Sequence, residues 1–123
     1  MKMTPSAADP PVVMEQTGQV LVVTLNRPQA INSLNLEMIR LLHAAFEVAR
    51  QEVGIGAVLL RGAGERGFCA GGDLKILAQA VRSGEAWQAD QFFREEYALD
   101  LDVHEFPKPV VVLADGITMG GGL

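Results

Sequence analysis

Two glycine-rich turns carry the chemistry this chain could do. One is Phe68-Cys69-Ala70-Gly71-Gly72-Asp73, and the other is Gly116-Ile117-Thr118-Met119-Gly120-Gly121-Gly122. Each follows an apolar, β-rich run and is placed to open a helix. Two such turns can aim two backbone N–H groups at one point, and that point can hold the charge that develops on a carbonyl oxygen. For Gly71-Gly72 the plain alternative is a loop whose glycines supply positive φ angles. Asp73 argues against a phosphate site, because its carboxylate already takes the N–H groups at a helix start. A neutral carbonyl that becomes negative only during reaction fits better. Neither turn ends in the Gly-Lys-Ser/Thr of a phosphate loop, and Gly120-Gly121-Gly122 does not make a dinucleotide fingerprint. Three consecutive glycines cost backbone entropy and need close packing or close ligand approach to justify them.

The elements that must position these turns follow from periodicity. Val12–Met14 and Val20–Leu25 read as a hairpin around Thr17-Gly18-Gln19, the second strand being apolar enough for burial on both faces. Asn26-Arg27-Pro28 stops it. A helix follows over about Leu34–Glu52, with Leu36, Ile39, Leu42, Phe46, Ala49 and Val53 as its apolar stripe. Asn32, Ser33 and Asn35 are its candidate caps, and Gly54 and Gly56 end it. Ala57–Gly62 reads as a buried strand and Ala63–Gly67 as a polar loop. Asp73 caps a short helix to Val81, Ser83-Gly84 interrupts, and a second helix runs from about Glu85 to His104. After Pro107 and Pro109, Val110–Ala114 is a fourth strand. The order β-β-α-β-α-α-β predicts an α/β class with crossover connections.

Bulk properties narrow the function. The 123 residues carry a net charge of −5, with 49% hydrophobic and 20% charged residues, which suits one domain with a real core. No Lys/Arg cluster exists to neutralise phosphates, so no nucleic-acid partner is expected. No apolar run is long enough for a bilayer, so no membrane partner is expected either. Residues 1–11 read as a disordered tail that lacks the features of a secretory signal. The single cysteine, Cys69, fits a reducing compartment and reads as a small buried residue, not a nucleophile. His43 and His104 lack companions at metal-ligand spacing, so no metal is expected. Trp87, Phe92 and Phe93 read as core.

Together with Asn26-Arg27-Pro28 and Ile31-Asn32-Ser33-Leu34, the two turns resemble those of the enoyl-CoA hydratase/isomerase (crotonase) superfamily, over residues 12–123. The resemblance implies a ClpP-like ββα spiral, truncated here at the second oxyanion turn. Phe92-Phe93-Arg94-Glu95-Glu96-Tyr97, Lys108-Pro109 and the second turn are more similar to its 3-hydroxyisobutyryl-CoA hydrolase branch, which acts in valine breakdown. On this basis the Gly72 and Gly121 N–H groups would bind the thioester oxygen. Ile31, Ala70, Gly71 and Leu74 would line the path of coenzyme A, and Glu96 would meet the acyl or hydroxyl end of the substrate. Asp73, at the same site, would act as a cap and not as an acid. Taken alone, Glu96 beside Arg94 and Glu95 reads as a solvated helix face.

Many members carry a lysine after Arg-Pro, available to the coenzyme A phosphates, where this chain has Gln29; Arg27 and Lys75 are the candidate substitutes. The superfamily's general acid/base carboxylates would lie beyond the second turn. No separate cofactor is implied, since coenzyme A is part of the substrate. The remaining expectations are a homo-oligomer in the full-length protein and a cytoplasmic location, or the mitochondrial matrix in a eukaryote. The rival readings are an enoyl-CoA hydratase or isomerase and a non-catalytic acyl-CoA-binding or degenerate fragment.

Overall fold

A computed structural model describes Ser6, residues 8–114 and Gly116–Thr118. β1 (Val12–Thr17) and β2 (Val20–Leu25) form the antiparallel hairpin, and β2 is buried along nearly its whole length. A 3-10 turn at Pro28–Ala30 leads to α1 (Leu36–Gln51). β3 (Ala57–Gly62) returns parallel to β2, and β5 (Val110–Leu113) is parallel to β3. The sheet order is β1-β2-β3-β5. Between β3 and β5 lie β4 (Gly67–Cys69), α2 (Leu74–Arg82) and α3 (Ala86–His104).

α1 buries Met38, Ile39, Leu42, Ala45, Phe46 and Ala49 against the sheet. The helix is shorter than its apolar pattern suggests. Asn35 caps it by accepting from the Met38 N–H, so Leu34 falls outside the helix. Val53 lies past its end and is 97% exposed, so it is not part of the stripe. At the other end the Lys108 ammonium donates to the carbonyls of Ala49, Glu52 and Ile55. It therefore satisfies the Ala49 carbonyl in the last turn of α1, ties it to two carbonyls that follow the helix, and meets the negative end of the dipole. Lys108→Met should lower stability by ~2 kcal/mol in urea unfolding, since hydrogen bonds from a charged donor are the stronger kind. An unchanged midpoint would show that water replaces the ammonium at no cost.

The sequence pattern does not reveal a further two-stranded pair. β6 (Ile117–Thr118) lies parallel to β4, with Gly67 opposite Ile117 and Cys69 opposite Thr118. The chain therefore runs the same way along both strands, and β4 leads into the first glycine turn, while Ile117 and Thr118 of the second stretch are strand. Of the stretch read as a tail, residues 1–5 and Ala7 lie outside the described residues. Ser6 and Pro10 accept from the Asn26 side chain, and Pro11 accepts from its backbone N–H.

Candidate active site

The first glycine turn is held by a strap of four residues. Ile31 to Leu34 run beside residues 67–73, and the two segments are zipped by backbone bonds. Ala70 N–H donates to the Ile31 carbonyl (2.9 Å), Leu34 N–H to Gly71 (2.7 Å) and Asp73 N–H to Leu34 (2.8 Å). Gly71 has φ +87° and turns its N–H toward Cys69 Sγ. The Gly72 N–H, between these paired neighbours, has no hydrogen-bond partner among the described residues. An unpaired backbone donor at a half-exposed position is the arrangement an incoming oxygen can complete.

Gly72 is backed by apolar side chains. A Cβ added there would lie 3.2 Å from Phe92 Cε1 and 3.7 Å from Leu77 Cδ1, so the ring of Phe92 sits directly against the turn. One helical turn along α3, Glu96 is only 5% exposed, and its Oε2 has no hydrogen-bond partner among the described residues. Burial pushes its carboxyl above the usual range, and the Asp100 carboxylate, one turn further, adds to this. The solvated-face alternative for Glu96 is thereby corrected. The buried face of α3 is Ala89, Phe92, Glu96 and Leu99, spaced by three and four, so Glu96 interrupts an apolar stripe. That spacing was the signal in the sequence. Cys69 is fully buried, and burial raises its thiol further from the thiolate form.

Asp73 caps α2, its Oδ1 accepting from the N–H groups of Lys75 and Ile76. Its other oxygen pairs with Arg27 Nη1 at 2.8 Å, and Arg27 also donates to the Ser33 carbonyl and hydroxyl. Arg27, a candidate for the coenzyme A phosphates, therefore has its Nη1 engaged by a buried carboxylate and by Ser33. Lys75 is exposed at the start of α2, and Leu74 beside it is exposed too. Ile31 and Ala70 are half-buried and meet through their backbones. Two aromatic expectations also change. Phe92 is core, but Trp87 is 62% exposed and Phe93 stacks on Tyr97 at the surface. Trp87 instead lines a cleft of about 270 Å³ between α2 and α3, with Asn35, Asp73, Leu77, Gln91 and Phe92. The cleft therefore reaches the residues that pack on Gly72. Gly121 lies outside the described residues.

Asn32 is the largest departure from the sequence reading. It does not cap α1. Its side chain is fully buried and its backbone has φ +54°, a conformation asparagine tolerates better than most residues. Its amide group donates to the carbonyls of Ala63 (3.0 Å), Gly67 (3.3 Å) and Phe68 (3.0 Å), and its Oδ1 accepts from Arg27 N–H (2.8 Å). No Cβ fits at Gly62, where it would stand 2.4 Å from the Phe68 carbonyl and 2.7 Å from the Asn32 amide nitrogen.

A mixed sheet crossed by helices, with a strap holding the first glycine turn, agrees with the comparison with known sequences. The enoyl-CoA hydratase/isomerase family matches residues 20–123, and the chain belongs to that family; its fold is the crotonase fold. It is 42% identical over 121 residues to the mitochondrial 3-hydroxyisobutyryl-CoA hydrolase of Danio rerio, and 41% identical over 122 residues to that of Gallus gallus. These alignments cover 98% and 99% of this chain but 31% of each relative, so the chain spans about a third of their length. Among solved structures, a carnitinyl-CoA dehydratase from Mycobacterium thermoresistibile superposes with a TM-score of 0.88 at 39% identity, covering 93% of this chain and 33% of that one. An enoyl-CoA hydratase from Rhodobacter sphaeroides gives 0.86 at 34% identity, covering 92% and 34%. No helix among the described residues is long and apolar enough to cross a membrane.

Proposed function

We propose that this chain carries the first oxyanion donor and the acyl-end contact of a coenzyme A thioester hydrolase acting on 3-hydroxyisobutyryl-CoA. The observation that carries the reading is the Gly72 N–H, left without a partner among the described residues while the N–H groups on both sides of it are bonded. The thioester oxygen binds there, with the Gly121 N–H as second donor. Attack of water on the carbonyl carbon places negative charge on that oxygen, and the two donors stabilise it before the carbon–sulfur bond breaks and the thiol leaves. The buried Glu96 carboxyl, one turn from Phe92, receives the substrate hydroxyl. Burial holds its carboxyl above the usual range, and a carboxyl so placed can hydrogen-bond that hydroxyl. Ile31, Ala70, Gly71, Asp73 and Leu74 border the coenzyme A path. The cleft at Trp87 supports an apolar portion of the substrate beside the turn. The hydrolase names of the relatives support this choice within the family, and their mitochondrial names support the matrix in a eukaryote, with the cytosol otherwise. A homo-oligomer of the full-length protein remains part of the proposal.

The test is free-thiol release from 3-hydroxyisobutyryl-CoA by the full-length gene product. Release supports hydrolysis. Hydration of an unsaturated acyl-CoA without thiol release supports the hydratase reading, which the names of the structural neighbours favour. Acyl-CoA binding with neither activity makes the protein a binder, and no binding sinks all three.

A further inference from the structure

We propose that Asn32 is a positioning residue that fixes the Gly72 N–H through the strand leading into its turn. This rests on the oxyanion role proposed for Gly72. Three facts about Asn32 carry it. Its amide group reaches three carbonyls on two separate segments, Ala63 after β3 and Gly67 and Phe68 on β4. Its Oδ1 is held by the Arg27 N–H, and Arg27 in turn grips Asp73, the residue after Gly72. Its own carbonyl accepts from Cys69 Sγ (3.2 Å), whose sulfur accepts from the Gly71 N–H (3.4 Å). The fully buried side chain is therefore tied to the turn from upstream through β4 and from downstream through Arg27 and Asp73, and the backbone carbonyl of the same residue adds a link through Cys69.

The backbone at Asn32 is arranged for this. Ile31 and Asn32 are consecutive non-glycine residues at φ +50° and +54°. A β-branched residue rarely adopts that region, so the pair holds strain that the surrounding bonds must offset. The bend turns the Ile31 carbonyl to the Ala70 N–H and the Asn32 side chain into the gap between β3 and β4. The absence of a Cβ at Gly62 leaves room for the amide. The identity of the amide atoms follows from the partners: three carbonyls accept from one end, and one N–H donates to the other.

A merely structural role would cost stability without moving the Gly72 amide in the folded state. The deciding measurement is the Gly72 amide cross-peak in 15N NMR spectra of the full-length protein, wild type against Asn32→Gly. Glycine keeps the left-handed backbone at no steric cost and removes the side chain. We expect the folded variant to show a shifted Gly72 amide, kcat for the thioester down about 10–100-fold, and the Kd for free coenzyme A within about twofold of wild type. Should Asn32→Gly unfold, Asn32→Asp is measured the same way, since it keeps the acceptor for Arg27 N–H and loses the donors. An unmoved Gly72 amide in a folded variant, or activity that falls only with the folded fraction, overturns the proposal. A wild-type protein without thioester turnover but with a displaced Gly72 amide in the variant would reject the hydrolase reading and leave the positioning role of Asn32 standing.

Discussion

Glu96→Met should make the protein more stable and a poorer enzyme. The carboxyl is buried with one oxygen unpartnered, so it carries a desolvation cost that no bond within the described residues offsets. Methionine has a similar length and no polar atom to satisfy. Removing a buried unsatisfied group should raise stability by about 1–3 kcal/mol at neutral pH. The pH dependence follows from the raised carboxyl. A group that binds its proton more tightly when folded adds stability below its unfolded pKa, about 4.3, and that contribution is lost as pH rises through the folded value. The advantage of the variant should therefore grow from acid toward neutral pH, as read by urea midpoints across that range. In the same variant kcat/KM for a β-hydroxyacyl-CoA should fall about 10–100-fold, because the substrate hydroxyl loses its buried partner. An acyl-CoA without the hydroxyl should lose far less. Equal losses on both substrates would remove Glu96 from the acyl end. A less stable variant would mean that the carboxyl has a partner outside the described residues.

The residues of this site differ in how far a sequence can reveal them. Asp73 as a cap was legible because capping is local: an acid after two glycines and before an apolar 3.6-residue pattern has few other uses. α1, α2 and α3 were legible for the same reason, as was the hairpin of β1 and β2. β4 and β6 were not. They are two or three residues long, and only their pairing across about fifty residues of chain makes them strands. The role of Asn32 is hidden for a related reason, although Asn35, offered with it as a cap, is the cap. Before an amphipathic helix, asparagine has a strong local role as a cap. The three carbonyls that claim it lie more than thirty positions away. Trp87 and Phe93 show the limit of composition, since large aromatics on a long helix suit core and cleft equally. Glu96 could have been found from its stripe, because an acid in step with Ala89, Phe92 and Leu99 must be buried if they are.

Asp73→Ala should be the most destabilising single change at the turn, costing about 2–4 kcal/mol in urea unfolding. Two effects add. The cap is lost, with acceptance from Lys75 N–H (3.2 Å) and Ile76 N–H (3.3 Å), which is worth about 1 kcal/mol. The Arg27 guanidinium, mostly buried, also loses its anion and keeps only Ser33, a further ~1–3 kcal/mol. Asp73→Asn separates the two. Asparagine caps about as well as aspartate, so its smaller cost isolates the ion pair. Burial alone would raise the Asp73 carboxyl, but the hydrogen bond from Arg27, the N–H groups of Ile76 and Lys75 and the charge of Arg27 outweigh it and hold it below the usual range. A depressed folded value means stability that is present above the unfolded pKa, about 3.9, and lost as pH falls through the folded one. The gap between wild type and Asp73→Asn should thus be constant from neutral pH to about pH 5 and close in stronger acid. Because Asp73 follows Gly72 and its N–H is bonded to Leu34, the same variants should disturb the donor as they loosen the strap. A gap that persists unchanged in strong acid would show that the pair contributes through packing, with its charge irrelevant to how the turn is held.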